Sequence, residues 1–152
     1  MGKKKVAVQT AEQAIKASEG VDAAVAKAGS KASESSSKLD KGKAFIHASY
    51  NNTLVSITDE RGNVVAWSSA GSLGFAGPKK ATPFAASKVV AALAEKLRKS
   101  GPTNLDVFVH GVGGGRDSAV RSLSNQGFNI LTIKDVTGIP HNGPRPPKVR
   151  RI

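Results

Sequence analysis

The 152-residue chain has no cysteine, which excludes disulfide frameworks, thiol catalysis and cysteine-based zinc sites. Aromatic residues make up only 5%, with one tryptophan and one tyrosine, so any core must be small and aliphatic. Acid is scarce too. Against 23 Lys+Arg stand 11 Asp+Glu, and the formal charge of +12 favours a polyanionic partner, either nucleic acid or an anionic membrane surface. Long apolar runs are missing, and none approaches the roughly 18 residues of a membrane-spanning helix. The amino terminus opens like a signal peptide, but Gln9, Glu12 and Gln13 interrupt any apolar segment. The myristoylation pattern fails at Val6, where Ser or Thr is wanted. These absences predict a soluble, cytoplasmic protein without a membrane partner.

What is present divides into three parts: an extension over 1–41, a body over 42–137 and a tail over 138–152. The extension is rich in Ala, Lys and Ser, and "SKASESSSKLDKG" has almost nothing to bury, so it is expected to be disordered. After Lys43 the pattern changes. "AFIHASY" reads as a strand and "NNT" as a turn whose asparagines tolerate left-handed backbone. "TLVSITDE" alternates with period two, Leu54 and Ser56 on one face and Val55 and Ile57 on the other. "RGN" then reads as a hairpin turn into "VVAWSSA".

A glycine-rich basic loop, "GSLGFAGPKKATP", precedes a helix with Thr82 as N-cap and Pro83 in its first turn. Ala85, Val89, Leu93 and Leu97 form one apolar stripe of that helix, with Ala86 and Val90 beside it. Lys96, Arg98 and Lys99 fall near its end, where cations complement the helix dipole, and Gly101 and Pro102 stop it. "NLDVFVHG" is a strand, "RDSAVRSLSNQG" a short helix and "FNILTIKDV" the last strand. The order βββαβαβ predicts a mixed sheet with helices against it, an α/β fold.

Catalytic patterns fall short one by one. "HGVGGGRDSAV" places glycines between a strand and a helix, but the dinucleotide fingerprint breaks where Arg116 takes the place of its third glycine. Asp135 closes the next strand where a ribose-binding acid would sit, yet little chain follows it. A Walker loop lacks its Gly-Lys-Ser/Thr, and "AGSLG" has Ala70 where a nucleophile elbow needs glycine. Two-metal phosphoryl chemistry needs converging carboxylates. The body offers only Asp59, Glu60, Glu95, Asp106, Asp117 and Asp135, none of them on the first strand. His47, His110 and His141 lack ligand spacing, and the first two are expected as packed or hydrogen-bonded strand residues. No catalytic constellation, metal or other cofactor is implied; a metal-dependent nucleic-acid enzyme is the disfavoured alternative.

Cations recur instead where the backbone is irregular: Lys79 and Lys80 in the loop, Arg116 at a helix start, and Arg145, Lys148, Arg150 and Arg151 in the tail. Contacts to phosphate use this arrangement. Arg116 opposes the helix dipole unless an anion lies beside it, which favours a phosphate contact over a plain turn. Asn51 and Asn52 add amides at a turn. The tail, "PHNGPRPPKVRRI", would span about 40 Å as polyproline II at about 3.1 Å per residue. Pro144 and Pro147 form a PxxP, but Val149 stands where a flanking arginine is expected. A stiff cationic strand loses little entropy on threading between RNA helices.

"HASYNNTLVSITDERGN", "GFAGPKKATPFAA", "GGGRDSAVRSL" and "DVTGIPHNGPRPPKVRRI", in that order, resemble the bacterial small-subunit ribosomal protein eleven family across residues 44–152. The resemblance implies a ribonuclease H-like α/β fold without its catalysis. It implies a place on the small-subunit platform, bridging helices of the ribosomal RNA and helping to form the Shine–Dalgarno cleft for messenger RNA. Ribosomal proteins seven and eighteen would be neighbours and initiation factor three a further partner. By motif, the RNA contacts implied are Asn51, Asn52, Lys79, Lys80, Arg116, His141, Asn142, Arg145, Lys148, Arg150 and Arg151. Three departures stand out: the family's Pro-Gly-Pro-Gly-Arg reads "VGGGR", its Thr-Pro-Ile-Pro reads "TGIP" at Gly138, and its cysteine before Arg-Pro-Pro is Pro144.

Overall fold

A computed structural model of the chain describes residues 39–98, 100–145 and 147–148. The expectations for 1–38, Lys99, Arg150 and Arg151 lie outside these residues. The expected order is found: β1 (Lys41–Ala48), β2 (Thr53–Asp59), β3 (Val64–Ser69), α1 (Pro83–Leu97), β4 (Asn104–His110), α2 (Arg116–Asn125) and β5 (Asn129–Asp135). The sheet runs β3-β2-β1-β4-β5, with β1–β2 and β2–β3 antiparallel and β1–β4 and β4–β5 parallel. It is the mixed α/β sheet that the strand order predicts.

Alternation along the strands decides which face is buried. Ala44, Ile46 and Ala48 of β1, Val55 and Ile57 of β2, and Leu105, Val107 and Val109 of β4 all point to the core. α1 covers them with Ala85, Ala86, Val89, Val90, Leu93 and Leu97, the stripe and flank expected from its spacing, together with Ala92. α2 adds Ala119 and Leu123, and the helices also meet where Ser122 Oγ donates to Ser87 Oγ at 3.0 Å. Strands of a sheet covered on both faces read as continuous apolar runs. Here every second residue is polar or only half-buried, because both helices lie on the same side.

The ends of α1 follow local chemistry. Thr82 has extended backbone and its Oγ1 accepts from the Ala85 N–H at 3.2 Å, satisfying one of the donors a helix start leaves free. At the other end the Gly101 N–H donates to the Leu97 carbonyl at 2.7 Å, and buried Pro102 follows. The basic loop before α1 is more regular than its glycines suggest. It winds into two 3₁₀ turns, Gly71–Leu73 and Gly77–Ala81, with Leu73 buried as its anchor.

Two turns differ from expectation. The "YNN" turn closes without left-handed asparagine: the Ser49 hydroxyl accepts from the N–H groups of Asn51 and Asn52 at 3.4 and 3.0 Å. Among the described residues the one non-glycine at positive φ is Asn142, at 53°. It bends the tail at His141–Asn142, so the first part of the tail is not the straight polyproline run that the prolines suggest.

Candidate nucleic-acid interface

The topology gathers the basic and amide-bearing segments at one end of the sheet. β1, β4 and β5 are parallel and β3 shares their direction, so all four finish at the same end, where the antiparallel β2 begins. The 49–52 turn, the 70–82 loop, the 111–115 glycine loop and the tail therefore emerge side by side. Asn51, Asn52, Lys79, Lys80, Arg116 and the root of the tail are all brought to this end. His141, Asn142, Arg145 and Lys148 continue from it, exposed. The opposite end is of mixed charge: Asp40, Asp59 and Glu60 line a depression there with Lys41 and Arg61.

Hydrogen bonds between the segments hold this end together. The Ala70 N–H donates to the Thr53 carbonyl at 3.0 Å, the Gly113 N–H to the Ala48 carbonyl at 2.9 Å, and the Val136 N–H to the Val109 carbonyl at 2.9 Å. The glycine loop serves this packing. A Cβ on Gly113 would stand 2.2 Å from the Ser49 carbonyl oxygen, and one on Gly111, where φ is +96°, would stand 2.3 Å from that of Ala48. These glycines let the chain approach its own backbone rather than a phosphate. Of the three consecutive glycines, Gly114 alone is open, its nearest neighbour being the Ala81 carbonyl oxygen at 3.8 Å.

Arg116 differs most from the reading of the sequence. The anion that a cation at a helix start calls for is supplied by the chain itself, in Asp135. Its guanidinium donates to the Asp135 carboxylate, to the Gly111 carbonyl and, at 3.4 Å, to Thr137 Oγ1. Thr137 completes the clasp: its hydroxyl donates to Asp135 Oδ1 at 2.6 Å, its N–H to the same oxygen at 2.9 Å, and Oγ1 accepts from the Gly111 N–H at 3.1 Å. The Thr137 hydroxyl and the Arg116 guanidinium hold the Asp135 carboxyl well below the usual carboxylate range. One residue from each of β5, α2 and the loop after β4 thus meets Thr137, the last residue of the body, and the tail leaves from a fixed point. Sequence alone points to Arg116 and Asp135 separately; Thr137 stands in the "TGIP" stretch, but nothing in that motif says that it joins them.

Asn52 is half-buried, and its Oδ1 is enclosed without a hydrogen-bond partner, as are Thr53 Oγ1 and Ser68 Oγ. Lys79 and Lys80 lie on the second 3₁₀ turn, exposed and half-exposed, and Thr82 Oγ1 donates to the Lys79 carbonyl at 2.8 Å. His47 and His110 are the hydrogen-bonded strand residues expected, although both are exposed. Their rings stack with centroids 4.8 Å apart and Nδ1 atoms at 2.8 Å, so one ring carries its proton on Nδ1 and the other leaves that nitrogen bare.

The carboxylates do not converge. Asp59 binds Asn63 in the hairpin turn, which lowers its pKa, Asp106 accepts from Thr132, and Asp135 is taken up in the clasp. Among the described residues no three His, Asp or Glu side chains gather where they could share a metal ion. No helix among them is long and apolar enough to cross a membrane.

The arrangement suits docking on a polyanion: cations and amides on loops, set by a rigid sheet end. The family model described as Ribosomal protein S11 matches residues 42–151, all of the sheet but Lys41, both helices and nearly all of the tail. The chain belongs to the ribosomal protein S11 family, structural proteins of the small ribosomal subunit that bind its RNA beside neighbouring ribosomal proteins.

Proposed function

We propose that this protein bridges separate helices of the small-subunit ribosomal RNA on the platform. The loop end of the sheet would dock first and the tail would thread onward. One observation carries the reading: three segments distant in sequence bring Asn51, Asn52, Lys79, Lys80 and the tail root to one end of the sheet. The work is charge neutralisation and positioning, not catalysis. The body, 42–137, supplies the rigid surface, and the tail, 138–152, supplies Arg145, Lys148, Arg150 and Arg151 as a strand of phosphate contacts. Residues 1–41 would be an extension to this body, although Lys41 already opens β1.

Arg116 acts in this scheme from behind the interface, by holding the tail root to Asp135. His141 and Asn142 sit at the bend, where an amide and an imidazole can reach sugar or base edges. In its place on the platform the protein would help form the Shine–Dalgarno cleft for messenger RNA. Ribosomal proteins seven and eighteen would flank it, and initiation factor three would approach the same region.

Co-sedimentation with assembling small subunits across a salt series tests this. The full chain and a form ending at Pro140 are compared. The full chain should enter the particle and the truncated form should wash off at lower salt. Neutralising about six phosphates of a single strand gives a log–log salt slope near −4. Equal retention at every salt concentration would show that the tail is not an anchor, and failure of both forms to enter would overturn the platform reading.

A further inference from the structure

Both helices cover one face of the sheet, and the opposite face carries most of the chain's strand aromatics. Cross-strand register sets Trp67, Ser56, Phe45, Phe108 and Lys134 side by side across all five strands. Phe45 and Phe108 stack at 5.2 Å with planes 17° apart, and the stacked His47 and His110 follow two residues further along the same strands. Trp67 is 54% exposed and Phe45 39%. Rings left this open in a chain so poor in aromatics call for an occupant.

The spacing and the charge say which. Ser56 separates Trp67 from Phe45 by two strand spacings, about 9.6 Å. A base held between two rings needs them about 7 Å apart, twice a stacking rise of about 3.4 Å. The gap over Ser56 is therefore wide enough for one base to stack against either ring, with the hydroxyl as its floor. Lys43 stands two residues before Phe45 on the same face, and Lys134 stands beside Phe108. The acid of this face, Asp106, is engaged by the Thr132 hydroxyl at 2.7 Å. Lys43 and Lys134 flank the rings, and lysine is a residue that protein–protein interfaces deplete. Base–ring stacking flanked by cations is how sheets take single strands without reading sequence.

We propose that the open face of the sheet is a second RNA site, a stacking platform for an unpaired, single-stranded segment. One base enters the gap over Ser56 between Trp67 and Phe45, and its backbone runs past Lys43 and Lys134. The inference rests on the family's binding of RNA but not on the loop-and-tail reading, which uses different residues.

Trp67 is the chain's one tryptophan, so its fluorescence reports on this face alone. The full chain is titrated with hexa-adenylate RNA, and saturable quenching of Trp67 is expected. Phe45→Leu, which removes the ring and keeps most of its volume, should weaken the binding about tenfold. Ser56→Leu, which fills the gap without touching a ring, should weaken it similarly; circular dichroism confirms that each variant is folded. A form ending at Pro140 that also carries Lys79→Ala and Lys80→Ala should keep the quenching. Binding of the RNA without any change in Trp67 emission would overturn the platform, as would undiminished affinity in both leucine variants. Quenching by a neighbouring ribosomal protein but not by the RNA would assign the face to protein and overturn it too. Loss of quenching only in the truncated form would place all RNA binding at the loop end, leaving the function proposed above intact.

Discussion

Adjacent glycines in one loop should respond in opposite ways to the same substitution. Gly113→Ala places a methyl group 2.2 Å from the Ser49 carbonyl oxygen, 2.8 Å from its carbon and 3.0 Å from the Ala48 carbonyl carbon. All three atoms are backbone, held by the end of β1 and the Ser49-anchored turn, so none can swing aside. The loop must move out, stretching the Gly113 N–H to Ala48 carbonyl bond that now measures 2.9 Å. Overpacking of this kind costs about 1–3 kcal/mol and the lost hydrogen bond about 1 kcal/mol. Together they amount to about 2–4 kcal/mol. In a domain of this size each kcal/mol lowers Tm by about 4–8 °C, so a fall of at least about 8 °C is expected. Gly114→Ala meets nothing nearer than the Ala81 carbonyl oxygen at 3.8 Å. It should be neutral, or stabilising by about 0.4–1 kcal/mol through the unfolded chain. Urea and thermal unfolding of the two variants, measured together, decide the matter. Equal destabilisation would refute the packing account. A Gly113→Ala protein of unchanged stability but weakened RNA binding would restore the view that this loop cradles phosphate.

The remaining predictions concern the clasp and the helix cap. The Asp135 carboxyl is depressed in the folded protein by the Thr137 hydroxyl and the Arg116 guanidinium, so the unfolded chain takes up its proton first as pH falls. Its contribution to stability is complete above the ordinary carboxylate pKa of about 3.9 and is lost as pH drops through the lowered folded value. Asp135→Asn should abolish that part of the acid limb; identical pH–stability curves between pH 2 and 6 for the variant and the parent would contradict it. Thr82→Ala removes the hydroxyl that accepts the Ala85 N–H at 3.2 Å. It should cost about 1 kcal/mol in urea unfolding, with Thr82→Ser restoring most of the loss.

Local periodicity made most of the fold readable. The period-two alternation of "TLVSITDE" and the stripe from Ala85 to Leu97 each record one face against a core, and Thr82-Pro83 marks a helix start by its own chemistry. One-sided coverage was not legible in that pattern, because Leu54, Phe45 and Phe108 put apolar side chains on the open face as well. Long-range pairing is what a linear reading cannot supply. The partner of Arg116 lies 19 residues on in Asp135, and the reason for Gly113 lies far back at Ser49. Both are consequences of β1, β4 and β5 lying parallel. Local competition hid the rest. A serine hydroxyl, not left-handed asparagine, closes the "YNN" turn, and the left-handed residue falls instead at Asn142, inside a segment whose prolines suggest straightness. The cations of the candidate interface were legible one at a time, whereas their common end of the sheet follows from strand direction.

The clasp at Thr137 also has a mechanical meaning. β5 is an edge strand running parallel to β4, and its ladder continues through the Val136 N–H into the tail root. Tension drawn along the tail in line with β5 would load that ladder lengthwise, so its hydrogen bonds would share the force instead of parting one after another. The guanidinium ties the same point to the first turn of α2, which spreads the load into the helix layer. A tail rooted this way can serve as a tether: RNA segments that shift against each other would pull on the whole body rather than peel its outermost strand.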